Sequence, residues 1–110
     1  MPQVYKILGQ LNPAANSSGA LYTVPASNSA IVSTITIANI SNNANTNYSI
    51  NLRQNGASNA NSQYIAYQAP IPNNDTVALT LGITLGAGDV IQVNANTSLV
   101  TFTAFGSEIY

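Results

Sequence analysis

From Thr76 to Leu85 the chain alternates without a break. Val77, Leu79, Leu81, Ile83 and Leu85 are aliphatic, and Thr76, Ala78, Thr80, Gly82 and Thr84 between them are small or hydroxylic. A period of two puts one set of side chains on each face of an extended strand, whereas a helix would scatter the five aliphatic residues around its circumference. The same period predicts a strand near 31–40 with Ile31, Ser33, Ile35 and Ile37 on one face. It predicts another near 47–54, with Tyr48, Ile50 and Leu52 facing one way and Ser49, Asn51 and Arg53 the other. A short strand over 64–69 places Tyr64 and Tyr67 on opposite faces; strands near 89–95 and 99–105 carry Val90, Ile91 and Val93, then Val100, Phe102 and Ala104. Weaker signals near 3–8 and 20–24 bring the total to about eight strands.

The segments between are turn chemistry. Asn12 to Gly19, Ser41 to Thr46, Asn55-Gly56 and the polar stretch to Ser62, Pro70 to Asn74, Gly86 to Asp89, and Asn94 to Ser98 are built from Asn, Ser, Gly and Pro. These residues supply positive φ angles or satisfy the backbone locally. No segment holds the spacing of an amphipathic helix. Short strands joined by polar turns over 110 residues predict an all-β fold, an antiparallel β-sandwich of jelly-roll type, with residues 1–110 forming a single domain.

Charge changes the picture most. Lys6, Arg53, Asp75, Asp89 and Glu108 are the complete set, where an average domain has about a quarter of its residues charged. Two basic residues cannot neutralise a phosphate lattice or hold to an anionic bilayer, so neither nucleic acid nor membrane is expected as a partner. An Asn- and Ser-rich chain suggests disorder, but the regularly spaced β-branched and aromatic residues are what disordered segments lack. An almost uncharged surface is either compositional drift within a polar-neutral coat or suited to a molecule displayed in many adjacent copies, which would otherwise repel one another. With no cysteine to crosslink a small domain, added stability must come from good packing, from oligomerisation or from docking on something larger, the last two being favoured.

The chain has no His and no Cys, which removes the imidazole base of a catalytic triad and the usual ligands of zinc. Asp75 and Asp89 are the one conceivable carboxylate pair for glycoside hydrolysis. Each starts a predicted strand, where Asp commonly bonds its own backbone; a calcium site combining one of them with Asn side chains is the other option. The expectation is no enzyme, no cofactor and no resident metal. Met1 to Gly9 lacks a basic stretch followed by an apolar run, so a secretory leader is not expected. The product is then expected to stay where it is made, unless it leaves inside an assembled particle or by lysis.

Six tyrosines accompany two phenylalanines and no tryptophan. Tyrosine joins apolar area to a hydroxyl and suits both protein interfaces and sugar-binding faces, though at sheet edges it also serves cross-strand packing. A candidate partner interface comprises Val4, Tyr5, Tyr64, Tyr67, Ile109 and Tyr110. The tyrosine pair enters because opposite faces cannot both point into one core, and the final two residues because an apolar end gains nothing from water.

Several stretches, taken together and in order, resemble one family. They are Pro2 to Gln10 (PQVYKILGQ), Leu21 to Pro25 (LYTVP), Tyr64 to Tyr67 (YIAY), Asn74 to Gly82 (NDTVALTLG) and Phe105 to Glu108 (FGSE). They are similar to small virion structural proteins of tailed bacteriophages, including those of cyanobacteria, of the capsid decoration or cement type. The Leu85-x-x-Gly88-Asp89-x-Ile91 turn resembles hairpins of jelly-roll trimers. Members are often more charged in the middle loops, where this chain has Asn and Ser. The resemblance implies a subunit made in the bacterial cytoplasm that binds the outer capsid surface, with the major capsid protein as partner and a trimer or dimer as its own state. The alternative is a tail, baseplate or fibre component that recognises a host-surface glycan; a free-standing adhesin or carbohydrate-binding module ranks third.

Overall fold

The computed structural model describes residues 3–110; Met1 and Pro2, which open the resemblance and the stretch read for a leader, lie outside them. Eight strands follow in order: β1 (Gln3–Leu11), β2 (Ser17–Thr23), β3 (Ser29–Asn39), β4 (Thr46–Arg53), β5 (Tyr64–Ile71), β6 (Thr76–Leu85), β7 (Val90–Ala95) and β8 (Val100–Ile109). Among the described residues, helix is confined to two single 3-10 turns, Gln54–Gly56 and Asn61–Gln63. The strands form two four-stranded sheets, ordered β1-β8-β3-β6 and β2-β7-β4-β5, with every pair antiparallel. The first strand pairs with the last, the second with the seventh, the third with the sixth and the fourth with the fifth. The chain is thus one long hairpin rolled into two layers, which is the jelly-roll arrangement.

The expected fold class is therefore the observed one, and β1 and β2 are longer than the pattern suggested. The inward faces meet in a dry layer. Ile35, Ile37, Val100 and Phe102 come from one sheet, and Tyr48, Ile50, Ile71, Ile91 and Val93 from the other. Each such side chain contributes about 1.5–3 kcal/mol by leaving water. The alternation expected along β4, β7 and β8 is what fills this layer.

Two expected faces are interrupted by β-bulges. In β3, Ser33 is skipped in the register with both neighbours, and its hydroxyl donates to the Phe105 carbonyl at 3.2 Å. The extra residue moves Ile31 and Ser33 off the face of Ile35 and Ile37. Ala30 and Val32 take the inward positions, and Ile31 is 37% exposed. Opposite it in β6, Leu81 and Gly82 are passed over, with Gly82 at φ +69°. Leu81 therefore leaves the apolar face it was assigned and is 40% exposed, while Val77, Leu79, Ile83 and Leu85 still pack on the core.

The amides do structural work where charges are missing. Asn39 is buried between loops; its Nδ2 donates to the carbonyls of Ala44 (3.0 Å) and Ile71 (3.2 Å), and its Oδ1 accepts from the Ser41 backbone at 3.1 Å. Asn45 and Asn73 continue the lacing between the β3–β4 and β5–β6 loops. Asn55 and Gly56 take positive φ values of 53° and 72° in the turn after β4. That turn is held by Asp89, whose Oδ1 accepts the Asn55 N–H while Oδ2 accepts the Gly86 N–H, both at 2.8 Å.

Candidate functional site

The six residues expected at an interface divide into two groups. Val4, Tyr5, Ile109 and Tyr110 come together, because Gln3 registers with Ile109, Val4 with Glu108 and Tyr5 with Ser107. Tyr64 and Tyr67 lie on β5. Strand β1 is outermost in its sheet and crosses β2, whereas β5 is the strand furthest from β2 in the other sheet. The two groups therefore occupy opposite edges of the sandwich.

The first surface is apolar. Tyr5 is 80% exposed, and Val4, Ile7, Ile31 and Tyr110 also present large side chains to solvent. Register continues the outer face across three strands, Tyr5 to Ser107 to Ile31 and Ile7 to Phe105 to Thr34. Beside this row β1 has a strand partner on one side only, and an edge strand with unpaired backbone groups and apolar side chains is a template for association.

Just inside that edge lies the one salt bridge of the described residues. Glu108, 5% exposed, accepts from Lys6 Nζ at 2.8 Å and from the Tyr22 hydroxyl at 2.5 Å. Hydrogen bonding from Lys6, then from Tyr22, holds its carboxyl below the ordinary 4.5. Burial, reinforced by Glu108, keeps the Tyr22 phenol protonated far above its usual range. The folded chain thus binds the Glu108 proton more weakly than the unfolded chain. The stabilisation is present above about pH 4.5 and is lost as pH falls through the folded value. The urea midpoint should drop between about pH 6 and about pH 3, and the Glu108→Gln chain should show a shallower drop; equal slopes would mean the pairing does not stabilise the fold.

The second surface is polar, and its tyrosines do not lie as expected. Asn51 registers with Tyr64 and Ile50 with Ala66, so Ile65 is an extra residue; a second bulge follows, with Gln68 at φ 48° and its N–H donating to Ser49 Oγ at 2.9 Å. The first bulge reverses the alternation between the two tyrosines. Tyr64 and Tyr67 consequently share the outer face, their rings edge to face with centroids 4.9 Å apart. They wall one end of a groove of about 340 Å³ on the outside of the β2-β7-β4-β5 sheet. Its floor is an in-register row across the strands: Ser18 opposite Asn94, Asn94 opposite Ser49, and Ser49 bonded to Gln68. Asn16, Asn47 and Asn96 flank one side and Asn51 the other. Beyond the tyrosines a second hollow of about 320 Å³ opens against Asn61.

Asp75 and Asp89 lie past opposite ends of β6, about 30 Å apart for ten extended residues, and so do not face one another across a cleft. Asp75 Oδ1 accepts the Thr76 N–H at 2.9 Å, and both Asp89 oxygens are taken by backbone N–H groups. Among the described residues no three His, Cys, Asp or Glu gather as a metal site, and no helix is long and apolar enough to cross a membrane.

No protein-family model and no curated protein matches the chain. Among solved structures, it is similar to a pentameric capsid protein isolated from metagenomic phage sequences, at 13% identity over 97% of this chain and 60% of that one, with a TM-score of 0.41. A second structure of a pentameric capsid protein from metagenomic phage sequences, phased with iodide, shares 13% identity over 97% of this chain and 64% of its own, with a TM-score of 0.33. The chain spans less than two thirds of either structure. At that identity and overlap, neither contact surfaces nor assembly state pass from them to this protein.

Proposed function

We propose that residues 1–110 form one β-sandwich subunit of a tailed-phage particle, a decoration or cement protein that docks on the outer shell through the β1–β8 edge. The observation that carries this is the row of exposed apolar side chains (Tyr5, Ile7 and Ile31) beside an edge strand in a protein with five charged residues. Such a surface is costly in water and is satisfied by burial against protein, with specificity from shape and backbone hydrogen bonds in place of ion pairs. The jelly-roll order is compatible with this role but hosts many others, lectins among them. The resemblance of the sequence to virion structural proteins supplies the setting: the major capsid protein is the docking partner, and further copies of this chain complete a dimer or trimer.

The test is co-sedimentation with capsids lacking the protein. The native chain should pellet with them, and Tyr5→Asp combined with Ile7→Asp should weaken binding by about 30-fold, the loss of a roughly 2 kcal/mol anchor. Both positions are exposed, so circular dichroism of the variant should stay native. Unchanged pelleting of a folded variant, or no pelleting of the native chain, would overturn the proposal.

A further inference from the structure

We infer that the groove on the outer face of the β2-β7-β4-β5 sheet binds an uncharged oligosaccharide, with Tyr64 and Tyr67 as its aromatic wall. This goes beyond the shell-binding role and does not depend on it, since the groove and the apolar β1 edge lie on opposite sides of the sandwich.

The chemistry of the lining selects the ligand. No Lys, Arg, Asp or Glu borders the groove, so nothing there would compensate the desolvation of a charged ligand. Its floor of hydroxyls and amides offers little to an apolar one. Amides and hydroxyls both donate and accept, which matches the mixed donor and acceptor character of sugar hydroxyls. Part of this polar set is already committed and fixed in place. Asn51 is buried and bonded to Gln63 (3.2 Å), Ser49 accepts from Gln68, and Asn94 donates to Ser18 (3.3 Å). The side-chain amides of Asn16, Asn47 and Gln68 and the hydroxyls of Tyr64 and Tyr67 engage no partner among the described residues, leaving their hydrogen-bonding capacity for a ligand. A rigid polar floor with uncommitted groups above it lowers the ordering cost of binding.

The tyrosines add what a polar face alone lacks. Their ring faces carry partial negative charge, and the axial C–H bonds of a pyranose carry partial positive charge. Tyr67 is 62% exposed, and its ring packs edge to face against Tyr64. Hollows on both sides of the pair give an extended ligand a path over the rings. The row from Ser18 to Gln68 crosses three strand spacings, about 14 Å, the reach of a short oligosaccharide rather than a monosaccharide.

The experiment uses the full chain, ¹⁵N-labelled, titrated with maltotriose, cellotriose, chitotriose and mannotriose, and with oligogalacturonate as an acidic control. The expected result is saturable shifts of Asn94, Ser49 and Tyr67 resonances with at least one neutral trisaccharide. Tyr67→Ala and Tyr64→Ala should each raise its Kd at least about tenfold, while Tyr5→Asp with Ile7→Asp leaves it unchanged. Tyr67→Ala should still pellet with capsids at the native level. No shift with any neutral sugar up to about 10 mM, a limit set by the roughly millimolar range of weak binding, would overturn the inference. So would preference for the acidic control, or loss of capsid binding in place of sugar binding, which would make the groove a protein contact.

Discussion

The Gly106→Val chain should lose at least about 3 kcal/mol of stability. A Cβ at Gly106 would stand 2.0 Å from the Ile31 carbonyl oxygen and 2.9 Å from Val32 Cα. Both are backbone atoms of β3, held by the bulge at Ser33, and no flexible side chain can yield. The strands must part, and they are the two central strands of their sheet. The comparison is Gly82→Ala, where a Cβ meets nothing within 4 Å and only the positive φ of 69° is strained, costing about 1 kcal/mol. With a urea slope of about 1–3 kcal/mol/M for a small protein, the first variant should shift the midpoint by about 1 M or more and the second by about a third as much. Equal shifts would contradict the close approach of β3 and β8.

Phe102→Ala is expected to cost about 3–5 kcal/mol with the urea slope unchanged. Phe102, the third residue of β8, is fully buried and meets Tyr48 of the facing sheet edge to face, with centroids 6.3 Å apart. The cavity left behind lies between two sheets fixed by their own ladders, so neither can collapse into it alone. Phe102→Leu should lose less than half as much, because most of the volume is kept. A Phe102→Ala chain within about 1 kcal/mol of native, well below the cost of an unrelaxed core cavity, would mean that the two layers close up freely.

How far the structure was legible follows from one property of β-sheets. Alternation is local, so runs such as Tyr48 to Leu52 and Val100 to Ala104 announced both strand and inward face. A bulge inserts one residue without changing composition, so nothing in Ile31-Val32-Ser33-Thr34-Ile35 signals that Val32, and not Ile31, turns inward. The same blindness separated Tyr64 from Tyr67, which the bulge at Ile65 brings into contact. The polar groove was hidden for a different reason. Ser18, Ser49 and Asn94 come from three strands, and only register places them in a row; along the chain they pass for turn-forming composition. Tyr64 and Tyr67 were the one part that sequence reasoning could single out.

The nested pairing of strands has a consequence for how the molecule forms. The Gln3 side chain bonds to Ser107, 104 positions away, so the outermost ladder closes the largest loop and closes last. Closure of β4 on β5 is the most local step and the natural starting point, with pairing then propagating outward to β1. Until β8 is in place, β1 has no sheet to join. At high local concentration it can complete the sheet of a neighbouring copy instead, so strand exchange at this edge is the misassembly expected on refolding.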